Sequence, residues 1–270
     1  MKIVRKSIVQ ERENVFDIEV EGNHNFFTSC GLVHNCHHFS AATFSEAVPK
    51  FNARYKFGLT ATPSRKDGTE RIFFNTLGDI FYQAEDEKHD VGIRKIRTGF
   101  SFHSRTGFVP SDERMVTIMC RNADRNRMIL DEIMAACEKE RKCLVLSDRL
   151  DHLDILATKL NERLKEKGLF RSVDFYVGGR KPEELVIAGN ADIIMATYQM
   201  SSEALDLPKL ETLYLASPKG DVIQSVGRLL RKADDKKRPI VVDFIDESCP
   251  LSMRRWKHRE EYYVGQGWIK

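Results

Sequence analysis

Residues 192–245 read DIIMATYQMSSEALDLPKLETLYLASPKGDVIQSVGRLLRKADDKKRPIVVDFI. Three short apolar runs stand in this stretch, DIIMAT, TLYLASP and PIVVDFI, without the alternation of a half-solvated strand. A strand that is apolar throughout is buried on both faces, which is the condition of a parallel sheet covered by helices. Between the last two runs, DVIQSVGRLLRK spaces its apolar residues as a helix does.

The same alternation extends back to about residue 115. DRNRMILDEIMAACEKE, RLDHLDILATKLNERLKEKG and KPEELVIAGN read as helices, and CLVLSD and SVDFYVGG as strands. Strand and helix in strict turn predict an α/β domain built on a parallel sheet. Further back, AATFSEAVPKF reads as a helix and RYKFGLTAT as a strand, followed by a charged connection of roughly 40 residues with a short strand at DIFYQ. The first 35 residues differ in texture, with short strands around VFDIEV, Phe26–Phe27 and Leu32–Val33, separated by Gly22, Asn23, Asn25 and Gly31. Such a piece is too short to bury a core and needs a partner to fold. The expected organisation is therefore a mixed one, all-β over 1–35 and α/β beyond, with units at 36–110 and 111–250 and a basic tail at 251–270.

The chain of 270 residues is 41% hydrophobic and 31% charged, with a net charge of +3, which describes a globular protein and neither requires nor excludes nucleic acid. Six cysteines (30, 36, 120, 137, 143 and 249) form no CxxC pair, as expected of reduced intracellular thiols. No apolar run reaches the ~18 residues of a membrane span, and MKIVRKSIVQERENV lacks the apolar core of an export signal. The expected location is the cytoplasm, or the host cytoplasm for a phage product.

The juxtaposition His34-Asn35-Cys36 has a chemical use. An Asn side-chain amide can attack its own carbonyl carbon, close a succinimide and release the residue that follows. A neighbouring imidazole assists by proton transfer, and a thiol immediately downstream is an acyl acceptor. VFDIEVEGNHNFFTSCGLVHNC resembles the last two blocks of inteins, with Asp17 and His24 in the penultimate block and GLVHN as the terminal one. That resemblance covers residues 1–35 and implies the C-terminal fragment of a split intein of the Hint type. A separate N-terminal fragment would present a thioester. Cys36 would take over the acyl chain, Asn35 would cyclise with help from His34 and His24, and an S-to-N shift would leave a normal peptide bond. Met1 falls about where split inteins divide, so the chain reads as a native trans-splicing precursor. Splicing needs no cofactor. A metal reading of Cys36, His37 and His38 is the weaker one, because adjacent residues on a strand point to opposite faces and no second ligand pair follows at zinc-like spacing.

From Cys36 onward, CHHFSAATF resembles the end of the D-E-x-H motif of superfamily-two helicases, with His37 as its final residue. Its Asp-Glu pair, which would hold Mg²⁺, is expected on the partner, so no metal site is expected in this chain. FGLTATPSRKDG resembles motif III, with Thr60, Ala61 and Thr62. DIIMATYQMSSEALDLPKL resembles motif V, with Thr197, Glu203 and Asp206, although Ala204 stands where relatives have Gly. QSVGRLLR resembles motif VI, and Gln224, Arg228 and Arg231 fall at i, i+4 and i+7 on one helix face. In relatives such arginines stabilise charge on a transferring γ-phosphate, and the alternative reading is a solvated basic face. CLVLSDRLDHL matches the motif IV position, and YVGG at 176–179 a glycine turn. The likeness is to XPB/UvsW-like, DEAH-type enzymes and covers most of residues 36–250.

Basic clusters at Arg94, Lys95 and Arg97, at Lys232, Lys236, Lys237 and Arg238, and at Arg254, Arg255, Lys257 and Arg259 suit phosphate contact or a solvated surface. Trp256 reads as a base-stacking or a core residue. No Walker A sequence GxxxxGK[ST] occurs, so the isolated chain is expected to hydrolyse no ATP. The expectation is a precursor that, joined in trans to an N-terminal intein and helicase half, becomes an ATP- and Mg²⁺-dependent helicase on DNA, with RNA as the other candidate. The competing expectation is a nucleic-acid-binding helicase remnant with an inert or truncated intein block.

Overall fold

The computed structural model describes residues 89–103, 110–203, 207, 209–230 and 235–270, together with short pieces between 71 and 80 and the backbone of three strands before residue 60. The chain divides into two compact units, Met1–Asp86 and Glu87–Lys270. Among the described residues no helix is long and apolar enough to cross a membrane.

In the first unit, β1 (Asn25–Thr28) pairs antiparallel with β2 (Gly31–Asn35), and β2 pairs parallel with β3 (Lys56–Leu59). The register sets His34 opposite Asn25 on one side and opposite Gly58 on the other. Asn35 stands opposite Leu59. The helix expected at AATFSEAVPKF and most of DIFYQ lie outside the described residues.

The second unit opens with β4 (Gly92–Arg97) and continues with α1 (Asp112–Arg121), α2 (Ala123–Cys137), β5 (Cys143–Ser147), α3 (Leu150–Glu166) and β6 (Val173–Tyr176). It then runs through α4 (Pro182–Asn190), β7 (Ile193–Thr197), α5 (Tyr198–Glu203), β8 (Thr212–Leu215), α6 (Ile223–Leu229), β9 (Ile240–Ile245) and α7 (Pro250–Gly265). Its described strands form one parallel sheet in the order β4-β9-β8-β5-β7-β6. Alternate residues feed two cores. Leu144, Leu146, Ile194, Ala196, Leu213, Leu215 and Val241 face one layer of helices. Cys143, Val145, Ile193, Met195, Tyr214, Val242 and Phe244 face the other. Local signals start the helices: the Ser111 hydroxyl accepts from Arg114 N, the Asn122 side chain accepts from Arg125 N, and Pro182 opens α4.

Three expectations are corrected. The charged connection contains a strand, because Gly92–Arg97 pairs rung by rung with Ile240–Ile245. The segment thus belongs with the second unit, and the boundary falls between 86 and 87 rather than at 110. Residues 251–270 are not a tail, since α7 buries Leu251, Ser252, Trp256, Arg259 and Tyr263 along one face. Trp256 is a core residue, 5% exposed and 6.1 Å from the Tyr263 ring. Cys120, Cys137, Cys143 and Cys249 are buried free thiols, and burial pushes Cys120 and Cys137 up to about 11.

Candidate functional site

In an open parallel sheet, ligand sites form beyond the carboxyl ends of the strands, where the strand order reverses direction. Here that point is β5. The chain leaves β5 for the edge strand β6, returns to β7 and then crosses to β8 on the other side. The carboxyl ends of β5, β7 and β8 therefore carry the candidate residues.

Thr197 closes β7 opposite Ser147 of β5, and its hydroxyl accepts from Met200 N at 3.3 Å, holding the first turn of α5. The Ser201 hydroxyl of α5 lies 3.2 Å from that of Ser225 on α6, with both side chains buried, which fixes the two motif-bearing helices to each other. Arg228 sits near the end of α6 and is half-buried. Burial lowers its pKa, and the Tyr176 hydroxyl at the end of β6 counteracts this. Tyr176 is shifted upward by burial and pulled back by Arg228, so the two groups share one electrostatic environment.

The loop from β8 to α6 is held from several sides. Ser217 accepts from Asp148 N at 2.9 Å, and the Ser217 carbonyl accepts from Tyr198 Oη at 2.7 Å. Lys219 pairs with Asp148 at 3.0 Å, and its ammonium stands 5.2 Å from the Tyr198 ring centroid. From α7, Arg255 donates to the Pro218 carbonyl at 2.7 Å and Arg259 donates to the Lys219 carbonyl. Arg259 is itself fixed by Asp243 of β9 at 2.7 and 2.8 Å, with 1% and 0% of the two side chains exposed. Burial opposes the charge on Arg259, and Asp243 outweighs it and raises the pKa. Arg259 is thus neither a phosphate contact nor a solvated group, a further correction. A charge with almost no access to water persists only beside a matched counter-charge.

Two more buried networks brace the carboxyl edge. Asp246, just past β9, accepts from Arg125 Nε at 2.9 Å, from Thr98 Oγ1 at 2.5 Å and from Ser252 Oγ at 3.0 Å. Arg125 also donates to the Ala216 carbonyl at 2.5 Å. His152 on α3 lies 3.0 Å from Ser147 Oγ and 2.9 Å from Asn126 Oδ1. Asn126 Nδ2 donates to the Cys120 carbonyl, so its oxygen accepts from His152 Nε2–H and leaves Nδ1 to accept from Ser147. Burial and Arg125 push His152 down to about 3.

Asp17, His24, Cys36, His37, Thr60, Ala61, Thr62, Asp206 and Arg231 lie outside the described residues. His34 and Asn35 are described as backbone at the end of β2, and Glu203 and Gln224 as backbone on α5 and α6. The residues that sequence reading passed over are Arg125, Asp246, His152, Lys219 and Asp243. Asp243 carried a signal, since an acidic residue inside the apolar run IVVDFI requires a partner. Among the described residues no group of three His, Cys, Asp or Glu is arranged to hold a metal ion.

No family model matches the chain. It is 29% identical over 259 residues to an inferred ATP-dependent RNA helicase of Acanthamoeba polyphaga mimivirus, a match that takes in 92% of this chain and 49% of the relative. It is 24% identical over 241 residues to an inferred helicase of Escherichia phage T5, covering 88% and 53% of the two chains. The chain thus spans about half the length of these relatives. The mimivirus match takes in more of the chain than the segment following Asn35, so it runs into residues 1–35. Among solved structures, T4 UvsW is similar with a TM-score of 0.51 at 19% identity, covering 78% of this chain and 46% of that one. A fragment of an HsdR subunit of a type I restriction enzyme from Vibrio vulnificus gives 0.55 at 16%, covering 74% and 40%. S. cerevisiae Dbp5 bound to RNA and ADP BeF3 gives 0.53 at 10%, covering 88% and 57%. By fold and by these relatives the chain is helicase-like, and its parallel α/β architecture is that of a RecA-like helicase domain.

Proposed function

We propose that this chain is the C-terminal part of an ATP-dependent superfamily-two helicase and that it joins its other half by protein trans-splicing. The observation that supports the helicase reading is the coupling of α5 to α6 through Ser201 and Ser225, with Arg228 half-buried on α6. A guanidinium presented from a fixed helix at the carboxyl edge of a parallel sheet suits a developing γ-phosphate charge. Arg228 and Arg231 take that role, and Thr197, Glu203, Asp206 and Gln224 couple it to the nucleic acid. ATP and Mg²⁺ complete the chemistry in the joined enzyme, with the Mg²⁺-binding carboxylates supplied by the partner half. The mimivirus relative is named for RNA and the phage T5 relative for no particular nucleic acid, so DNA and RNA are both substrates to be assayed.

In the ligated protein, Arg228→Ala is expected to lower nucleic-acid-stimulated ATPase turnover at least 100-fold, in line with the cost of losing an arginine finger. Turnover close to that of the parent would overturn the assignment. The isolated chain is expected to release no phosphate from ATP under the same conditions.

His34, Asn35 and Cys36, with Asp17 and His24, carry the splicing reading. Mixed with an N-terminal precursor, the chain is expected to lose residues 1–35 and yield a larger ligated species, both visible by mass spectrometry. The variant Asn35→Ala is expected to stall at the branched intermediate.

The second reading is a helicase remnant with an inert intein block. It is favoured by the extent of the mimivirus match and by the parallel pairing of Gly31–Asn35 with Lys56–Leu59. Under that reading the mixture shows no change in mass.

A further inference from the structure

The connection from β8 to α6, residues 216–222, gives three successive carbonyls to side chains from other elements. The Ser217 carbonyl accepts from Tyr198 Oη of α5 at 2.7 Å, the Pro218 carbonyl from Arg255 Nη1 of α7 at 2.7 Å, and the Lys219 carbonyl from Arg259 Nη1 of α7. Connections between elements ordinarily run over the surface, where water satisfies such groups. Here two of the three donors are guanidinium groups, which make the stronger, charge-assisted bonds. α7 also lies against the loop itself, since a Cβ at Gly220 would stand 3.9 Å from Arg255 Cγ and 3.9 Å from His258 Cδ2.

The helix that supplies these donors is fixed to the sheet along its length. Ser252 donates to Asp246, and Arg259 and Tyr263 both bond to Asp243 of β9. Just beyond the helix, Trp268 Nε1 donates to the His89 carbonyl at 2.9 Å, where the chain approaches β4. The loop is thus tied to the sheet through one helix that has several anchors.

The two arginines are not equivalent. Arg259 neutralises the buried Asp243, so removing it leaves a carboxylate alone in the core. Arg255 is half-buried and pairs with no carboxylate among the described residues, so removing it returns one loop carbonyl to water. Arg228 is the sixth residue of α6. The first turn of that helix is continuous with the loop, because Val226 N donates to the Val222 carbonyl at 2.8 Å and both side chains are buried. A shift of the loop therefore carries Arg228 with it.

We propose that Arg255 is a positioning residue for Arg228. By holding the Pro218 carbonyl from α7 it sets where α6 begins, and so where the Arg228 guanidinium stands at the carboxyl edge of the sheet. The catalytic part of this inference rests on the reading of Arg228 as the group that meets the γ-phosphate. Ser225 fixes α6 sideways against α5, and Arg255 fixes its start.

The test compares the full chain with Arg255→Met, Arg255→Lys and Arg254→Met. Met keeps an aliphatic stem and removes the donor, and Lys restores a donor. Arg254 is the control, because its partner Asp112 is exposed and such pairs contribute little. In Arg255→Met the amides of Val226 and Leu230 are expected to exchange about tenfold faster, the effect of one lost hydrogen bond. The amides of Leu144, Val145 and Leu146 in β5 are expected to keep the parent's rate. The Nε–H NMR signal of Arg228, assigned by its loss in Arg228→Lys, is expected to shift in the same variant. Arg255→Lys is expected to restore both readouts in part, and Arg254→Met to change neither. Unchanged α6 exchange and an unchanged Arg228 signal in Arg255→Met would overturn the proposal. Faster exchange spread evenly over α6 and β5 would overturn it too, since that marks a residue that only stabilises the fold. In the ligated protein Arg255→Met is expected to lower ATPase kcat about ten- to 100-fold, as for a catalytic group displaced by about 1 Å, with KM for ATP within about twofold of the parent. A raised KM with unchanged kcat would contradict the proposal. If the ligated parent hydrolyses no ATP while the Arg228 signal still responds to Arg255, the reading of Arg228 fails and its placement by α7 stands.

Discussion

His152 is completely buried, bonded to Ser147 on one side and Asn126 on the other, and neutral because burial and Arg125 hold its pKa at about 3. Its ordinary value is 6.5, so the unfolded chain takes up a proton that the folded chain refuses. The contribution to stability is complete above pH 6.5 and falls as pH drops from there toward about 3. The expected loss is roughly 2 kcal/mol by pH 5. Urea midpoints between pH 7 and pH 5 measure it, and His152→Gln is expected to flatten the slope even if it lowers the starting value. A midpoint with the same pH slope in both proteins would contradict this account. Residue roles of this kind were hidden in the sequence. Neither Ser147, Asn126 nor His152 stands out singly, and the three are brought together by strand β5 and helices α2 and α3. By contrast, the positions of Thr197 at the end of β7 and of Arg228 on α6 were legible, because one closes an apolar strand and the other lies within a patterned helix.

At the level of elements, the strands CLVLS, IIMAT, TLYL and IVVDFI were legible because burial on both faces demands unbroken apolar runs. The elements that were missed are those in which charge masks the pattern. β4 reads GIRKIR and is an edge strand, with exposed Arg94, Lys95 and Arg97 and only Ile93 and Ile96 to bury. In α7 the buried positions 252, 256, 259 and 263 follow helical spacing, but one of them is an arginine. That arginine makes the element testable. Asp243→Asn leaves Arg259 buried without a counter-charge and is expected to cost about 3–5 kcal/mol. Replacing both residues, Asp243→Leu with Arg259→Met, is expected to recover most of that loss. Chemical denaturation of the two variants decides the matter, and a double variant no more stable than Asp243→Asn would mean that the pair is not coupled.

For the molecule as a whole, the strand order β4-β9-β8-β5-β7-β6 could not be read from the sequence. Helix–strand alternation states that crossovers occur and says nothing of which side of β5 each one lands on. The second unit has two extensive cores of its own on the two faces of its sheet. A fragment of residues 87–270 is therefore expected to fold alone, with a single cooperative urea transition within about 1 kcal/mol of the matching transition in the full chain. A broad, non-cooperative melt of the fragment would show that the division at residue 86 is not a folding boundary.

The first and last strands of that sheet, β4 and β9, lie side by side and run in the same direction. Thr98 at the exit of one is bonded to Asp246 at the exit of the other. A pull entering the domain at Gly92 and leaving after Ile245 drags the two strands lengthwise past each other, so every rung between them is loaded at once. A domain tethered in this way resists tension far better than one whose rungs open in succession.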